Sequence, residues 1–351
     1  MPDLGLTGLQ HMSLSPLWTN INWDLEGRQD SFLNLEHSVH LSAYGIVQIP
    51  ATVFKNGPGP TLLLMAGSHG DEYEGQAVLT RLIQTLDVKS LSGRIIVLPA
   101  ANLPAVTNGT RVSPLDEGNL NRCFSDNFAD SPTSLIAHYI TNSILPMCDV
   151  FFDFHSGGTS LEYFPCTYAS IPDNADKALF VLDAIEYMNA PVSWVQRGMP
   201  RGPEAGRAAY QQGVTYLSGE FGGGGRLSTQ ASTVATRSVY RLMTYLEMYP
   251  LADNWSDTLP TRMMQSDQDH YIYAEGGGVF EPAAALGDDV KSGDLMGTIL
   301  NPEMPTRLEK QLLFPTSGKW ICSRAIGRVR RGDCLGHLLV DVTREELLEA
   351  R

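Results

Sequence analysis

The sequence predicts an α/β protein whose mainly parallel mixed sheet is flanked by helices, followed by a small C-terminal all-β domain. Between residues 61 and 248, short apolar runs typical of buried strands alternate with segments whose apolar residues recur at helical spacing. After residue 268 this alternation stops, and short apolar runs are separated by turns rich in Gly and Asp. Turns at such short intervals are typical of small β-domains.

The alternation can be divided into individual elements. Predicted strands lie at 61–66, 94–99, 149–154 and 214–220, and predicted helices lie at 74–86, 134–145, 173–188 and 229–248. In the first helix the apolar residues share one face, as expected for a helix that packs on a sheet. Continuous apolar strands between such helices predict a sheet that is covered on both faces.

We expect four segments along the chain: an N-terminal arm or edge hairpin over 1–44, an α/β domain over 45–250, a linker over 251–267 and a β domain over 268–351. Two stretches of the last segment, VKSGDLMG at 290–297 and VRRGDCLG at 329–336, share one plan. This repeat is similar to the two halves of a lipoyl- or biotinyl-like barrel-sandwich. No lysine stands at an obvious hairpin tip, which favours a capping module over a carrier.

The composition excludes several functional classes. The chain has 351 residues, with 25 Lys+Arg against 39 Asp+Glu and a net charge of -14, so we expect no nucleic-acid partner. We expect no membrane partner and no signal peptide, because no apolar stretch reaches about 20 residues and the N-terminus lacks a basic start. Five cysteines without CxxC spacing favour reduced thiols in the cytoplasm. An enzyme is the leading class.

Metal-binding residue types follow two of the predicted strands. His69 and Glu72 come directly after the first strand, and His155 follows the third. Ligands of α/β proteins collect beyond the carboxyl ends of strands, and two His with one Glu form the ligand set of open catalytic zinc sites. The alternative is a helix N-terminus decorated with acidic residues and a polar turn. Asp153 would either orient a ligand or anchor its strand.

Glu220 closes the fourth predicted strand. An unpaired buried carboxylate is costly, and a base that activates water beside a metal would explain one at this position. The alternative is a pairing with an arginine, for which the candidates are Arg201, Arg207 and Arg226.

The polar loop 108–124 carries Arg111 and Arg122. A guanidinium matches the geometry of a carboxylate, so the two arginines could bind an anionic substrate. The alternative is that they pair with Asp116 and Glu117 on a solvated loop.

Four motifs resemble, in the same order, those of the succinylglutamate desuccinylase/aspartoacylase family of the zinc carboxypeptidase clan. They are HGDE at 69–72, NLNR at 119–122, DFH at 153–155 and GE at 219–220. The resemblance covers roughly 46–249 and extends to the C-terminal β domain. It implies a zinc-carboxypeptidase-like fold and one Zn2+ held by His69, Glu72 and His155.

The resemblance also implies a role for the other polar residues. Glu220 would act as general base and then acid, and Arg111 would polarise the scissile carbonyl. Asn121 and Arg122 would hold the α-carboxylate of a small N-acyl amino acid. The domain over 45–250 would then be a zinc-dependent catalytic domain that hydrolyses linear amide bonds.

The segment HGDEYEG at 69–75, the loop 110–122 and the glycine run 222–225 are similar to family members of ectoine catabolism. This implies deacetylation of N2-acetyl-L-2,4-diaminobutanoate. Its ammonium group would need an acidic contact, for which Glu162, Glu275 and Glu281 are candidates.

Three alternatives stay open. A deacylase of acidic substrates such as succinylglutamate or acetylaspartate would need a further cation, such as Arg201 or Arg207. A carboxypeptidase would need an open groove, and a non-catalytic binding protein would not need the whole set of motifs. A homo-oligomer also stays open, with residues 1–40 capping the site or bridging subunits.

Overall fold

The fold is built on one long mixed sheet. The computed structural model describes residues 17–125, 130–198, 202–306 and 310–349. Within these ranges fourteen strands form a single sheet, and four others form a second, smaller sheet. No helix in the described ranges is long and apolar enough to cross a membrane.

The elements have the following bounds. The strands of the N-terminal and central part are β1 (Leu17–Thr19), β2 (Gly27–Glu36), β3 (Ile46–Asn56), β4 (Thr61–Met65), β5 (Gly93–Leu98), β6 (Val150–His155), β7 (Leu161–Ile171), β8 (Val192–Arg197) and β9 (Thr215–Gly223). Those of the C-terminal part are β10 (Arg262–Gln265), β11 (Tyr271–Tyr273), β12 (Gly278–Pro282), β13 (Asp289–Val290), β14 (Leu295–Leu300), β15 (Lys310–Leu313), β16 (Gly318–Arg324), β17 (Arg328–Val329) and β18 (Cys334–Asp341). The helices are α1 (Tyr73–Thr85), α2 (Leu103–Asn108), α3 (Pro132–Tyr139), α4 (Ala175–Met188), α5 (Ala205–Gln211), α6 (Thr229–Tyr245) and α7 (Arg344–Glu349).

The centre of the sheet is parallel and buried. Strands β5, β4, β6 and β9 lie side by side in parallel, and every residue of β4 and β6 is buried. Helices α1, α4 and α6 contribute to the core on one face, and α3 and α5 contribute to the core on the other. Two covered faces explain why these strands are continuous apolar runs.

Many of the outer strands pair antiparallel, although β8 lies parallel to both β7 and β10, so the sheet is mixed and the predicted parallel arrangement describes mainly its centre. Strands β1, β2 and β3 pair antiparallel at one edge, and β7 pairs antiparallel with β9. No strand was predicted for β3, β7 or β8. The start of β7 is only half-buried, so it lacks the continuous apolar signal of the central strands.

The predicted helix over 134–145 is shorter than expected. Helix α3 ends at Tyr139, and a single π-helical turn over Ile140–Ile144 and a 3-10 turn over Leu145–Met147 follow it. Pro146 has no N–H to donate to the carbonyl of Asn142, so the α-helical hydrogen-bonding pattern cannot continue through it.

The predicted C-terminal all-β region exists, with α7 after its last strand. Part of it belongs to the main sheet, because β10 joins β8 to β18, and β16 pairs with β7. Each predicted repeat runs from the end of a two-residue strand through a turn into a longer strand. Residues 1–16 of the predicted arm lie outside the described ranges, and the domain boundaries stay predictions.

Candidate functional site

The candidate site lies at the carboxyl ends of β4, β6 and β9. In the sheet register Met65 lies beside Asp153, and His155 lies beside Glu220. The segments that follow these neighbouring strands therefore leave the sheet at one edge. A cavity of about 1020 Å³, called the central cavity below, opens there and is lined by His69, Glu72, His155 and Glu220 among others.

The three predicted metal ligands converge on one point. His69 Nδ1 lies 2.6 Å from Glu72 Oε1, and His155 Nδ1 lies 3.0 Å from Glu72 Oε2. All three side chains are buried, and one ligand atom from each lies within 4.8 Å of the others. This group could hold a metal ion.

The orientation of both imidazole rings supports a metal site. The ring of His69 turns Nε2 toward Asn119 Oδ1 at 3.0 Å, and the ring of His155 turns Nε2 toward Asp153 Oδ2 at 3.0 Å. In the neutral form of each ring, an Nε2–H that donates to these oxygens would leave the lone pair of Nδ1 available to a metal ion on the side of Glu72. Metal-binding histidines are commonly held in this way, so the donor set fits a metal ion.

The two neighbouring histidines keep the buried carboxylate of Glu72 charged. Burial alone would raise the pKa of Glu72, but the charge of His69 and the hydrogen bond and charge of His155 hold that pKa well below its usual range. In turn, Asp153 and Glu72 raise the pKa of His155 well above its usual value, against the effect of burial. The backbone N–H of Ser156 donates a further hydrogen bond to Glu72 Oε2 at 3.1 Å.

Gly70 allows the loop that carries Arg111 to lie close to His69 and Glu72. Its N–H donates to the carbonyl of Thr110 at 2.8 Å, and a Cβ at this position would lie 1.9 Å from the carbonyl oxygen of Ala105. Only glycine fits so close an approach of two backbones. The contact places Arg111 Nη1 3.3 Å from Glu72 Oε1, in the lining of the central cavity.

Glu220 lies on the wall of the central cavity, and its Oε2 is buried without a hydrogen-bond partner in the described part of the chain. Burial raises the pKa of Glu220 to about 8, an effect that His155 and Arg111 oppose and Glu72 reinforces. Arg226, one predicted partner, instead contacts Glu162 at 3.0 Å.

Arg201, a second predicted partner, lies outside the described residues. Arg207 lies on α5 and is absent from the lining of the central cavity within the described ranges.

Asn121 and Arg122 also line the central cavity. The Nδ2 of Asn121 lies 3.5 Å from His155 Nε2, and its Oδ1 accepts a hydrogen bond from the N–H of Ala205 at 2.9 Å. Arg122 Nη1 donates to the carbonyl of Asn121 at 2.8 Å and lies 3.3 Å from Glu204 Oε1.

The predicted alternative, in which the two arginines pair with Asp116 and Glu117, does not describe this loop. Asp116 accepts hydrogen bonds from the backbone N–H and the hydroxyl of Thr133 at 2.8 and 2.7 Å. Arg111 and Arg122 have their closest acidic groups in Glu72 and Glu204.

Sequence reasoning missed the aromatic part of the central cavity. Five aromatic side chains line the cavity together with Glu204; they are Tyr163, Tyr168, Trp194, Tyr216 and Tyr271. Tyr163, Tyr168 and Trp194 lie on β7 and β8, for which no strands were predicted. The available signal was the enrichment of residues 161–171 in aromatic side chains, which are common in strands.

The carboxylates predicted to meet an ammonium group lie elsewhere. Glu162 contacts Arg226, and Glu275 contacts Lys310. Glu281 lies exposed on β12. Within the described residues none of the three lines the central cavity.

Comparison with known proteins identifies the family. Residues 58–246 match the succinylglutamate desuccinylase/aspartoacylase catalytic domain. The chain is 34% identical over 285 residues to the N-alpha-acetyl-L-2,4-diaminobutyric acid deacetylase of Halomonas elongata. The matched region covers 81% of this chain and 83% of the relative.

Solved structures of similar proteins support the same family. The product-bound ectoine utilization protein EutE (DoeB) from Ruegeria pomeroyi superposes with a TM-score of 0.88 at 33% identity, covering 93% of this chain and 99% of that one. A succinylglutamate desuccinylase/aspartoacylase from Rhodobacter sphaeroides superposes with a TM-score of 0.89 at 32% identity, covering 94% and 100%. With its fold, its ordered motifs and these relatives, the chain belongs to the succinylglutamate desuccinylase/aspartoacylase family.

Proposed function

We propose that this protein is a cytoplasmic zinc-dependent amidohydrolase that removes the acetyl group of N2-acetyl-L-2,4-diaminobutanoate in ectoine degradation. The observation that carries the proposal is that the buried His69–Glu72–His155 group and Glu220, whose Oε2 has no hydrogen-bond partner among the described residues, line one cavity. The names of the Halomonas elongata and Ruegeria pomeroyi relatives support the choice of substrate.

The donor set favours zinc. Two imidazole nitrogens and one carboxylate are typical of catalytic zinc sites that keep a fourth position open. Zinc bound there would supply a Lewis acid that lowers the pKa of water and polarises the acyl carbonyl. Asn119 and Asp153 would hold the two rings in the required orientation.

Glu220 moves the proton. It accepts a proton from the attacking water while the water oxygen bonds to the acyl carbon. It then passes that proton to the amide nitrogen as the carbon–nitrogen bond breaks, which gives acetic acid and a free amine; transfer of the acid's proton to the amine yields acetate and an ammonium group. A carboxyl whose pKa is raised to about 8 can both accept and return a proton near neutral pH.

Three side chains position the substrate. Arg111 faces the cavity beside Glu72, so its charge can stabilise the negative charge that develops on the acyl oxygen. Asn121 and Arg122 present an amide and a guanidinium to the α-carboxylate.

The test is a deacetylation assay with N2-acetyl-L-2,4-diaminobutanoate and zinc-loaded protein, in which the released amine is measured. We expect turnover in the wild type and a loss of about 10²- to 10⁴-fold in Glu220→Gln, at unchanged zinc content. Glu162→Gln is the matched control, because it neutralises a carboxylate outside the cavity lining.

Full turnover by Glu220→Gln would remove that residue from its role. Release of amine only from N-succinyl-L-glutamate or N-acetyl-L-aspartate would replace the substrate and keep the class. Cleavage of peptides alone would indicate a carboxypeptidase.

A further inference from the structure

We propose that Glu204 determines substrate specificity: it binds a positively charged group on the side chain of the amino acid whose carboxylate Arg122 holds. The inference rests on the proposed function, since it names the chemical class that the same cavity selects. The selected class is an N-acyl amino acid with a short side chain that ends in an ammonium group.

The first argument is the pairing of opposite charges on the cavity wall. Glu204 Oε1 lies 3.3 Å from Arg122 Nη1, and both side chains line the central cavity. The carboxylate and the terminal ammonium of a short diamino acid are only a few bonds apart. A ligand that carries both charges therefore matches an adjacent arginine and glutamate, whereas a second carboxylate on the ligand would be repelled by Glu204.

The second argument is the aromatic surface of the cavity that Glu204 also lines. Tyr168 and Trp194 line the central cavity and pack edge to face, with ring centroids 5.0 Å apart. Glu204 and these two rings therefore face the same enclosed space. Aromatic faces attract cations and offer no such attraction to a carboxylate.

The third argument comes from the cations of the wall. Among the described lining residues the arginines are Arg111, Arg122 and Arg197. Arg111 lies beside Glu72, and Arg197 donates to the carbonyl of Glu346. Of these three arginines, Arg122 is the one that contacts Glu204, and it is already assigned to the α-carboxylate. The cavity wall beside Arg122 therefore presents the carboxylate of Glu204 to the substrate side chain.

The test compares side chains of different charge, two of which have the same size. N-acetyl derivatives of L-2,4-diaminobutanoate, L-norvaline and L-glutamate are offered to the wild type and to Glu204→Gln. Norvaline replaces the ammonium with a methyl group, so it isolates the charge. Loss of a charged hydrogen bond lowers binding by about 10- to 100-fold.

We therefore expect Glu204→Gln to lose about 10- to 100-fold in kcat/KM for the diaminobutanoate derivative, mainly through KM, and less than about 3-fold for the norvaline derivative. Asp267→Asn, which changes another carboxylate of the cavity lining, and Glu162→Gln are the matched controls and should keep the wild-type ratio. An equal loss for all substrates in Glu204→Gln would overturn the inference, as would loss of the preference in Asp267→Asn.

A binding measurement separates this inference from the proposed function. Calorimetry with free L-2,4-diaminobutanoate and L-norvaline needs no turnover. A preference for the diamino acid that Glu204→Gln removes would support the inference even if the wild type hydrolyses none of the derivatives, in which case only the proposed function fails. Equal binding of the two amino acids by the wild type would overturn the inference whatever the hydrolysis results.

Discussion

Asp153→Asn measures how far metal affinity depends on the carboxylate behind His155. Asp153 is fully buried, and its Oδ2 accepts hydrogen bonds from His155 Nε2 at 3.0 Å and from the hydroxyl of Tyr216 at 3.3 Å. Asparagine keeps the shape of the side chain and removes its charge. The amide oxygen can still accept from His155, but a neutral acceptor increases the basicity of Nδ1 less than a carboxylate does.

The expected loss follows from this geometry. Removing the partner of a metal-binding histidine costs about 10- to 100-fold in metal affinity, or about 1.4 to 2.7 kcal/mol. We expect a value in the upper part of this range, because solvent does not screen a carboxylate with no exposed surface. Tyr216→Phe removes one hydrogen bond and keeps the charge, so its zinc affinity should fall by less than about 3-fold.

The assay is a competition for zinc between the protein and a chromogenic chelator, with circular dichroism as the check on folding. The order wild type, Tyr216→Phe, Asp153→Asn from tightest to weakest is the expected result. A folded Asp153→Asn protein that binds zinc within twofold of the wild type would refute the reasoning, since His155 would then need no charged partner.

Two further predictions concern Arg111 and His337. Arg111→Lys keeps the positive charge but loses the planar guanidinium and its paired N–H donors. We expect kcat to fall about 10²-fold with little change in KM. A change in KM alone would assign Arg111 to ground-state binding. Burial lowers the pKa of His337 from 6.5 to about 3, so between these values the unfolded chain binds a proton that the folded chain does not. The contribution of His337 to stability is therefore complete above about pH 6.5 and falls by up to about 1.4 kcal/mol per pH unit below it. In urea titrations, His337→Gln should lose less stability than the wild type between pH 7 and pH 4, and equal losses would contradict this.

The centre of the fold was predictable because its strands are buried on both faces. The predicted strand 61–66 differs from β4 by one residue, since a continuous apolar run leaves little choice of element. The missed strands β7 and β8 border the central cavity. Polar and aromatic side chains such as Tyr168 and Gln196 interrupt their apolar pattern, because one face meets the cavity instead of a helix.

The convergence of His69, Glu72 and His155 was predictable from the strand-end rule. His69 and Glu72 follow β4 and His155 ends β6, and neighbouring parallel strands bring their carboxyl ends together. Asn119 was part of a recognised motif, but its contact with His69 joins residues that lie fifty positions apart and has no local pattern.

The sequence by itself determined which residue types stand at the strand ends, and through the ordered motifs it determined the family. Only the tertiary structure decided which charges become neighbours. Arg122 meets Glu204 on the wall of the central cavity, and Arg226 meets Glu162 instead of Glu220. The physical reason is the distance along the sequence between the residues concerned. Side-chain spacing along a strand or helix is set by local backbone geometry. A contact between distant loops depends instead on how helices and strands pack around the central cavity.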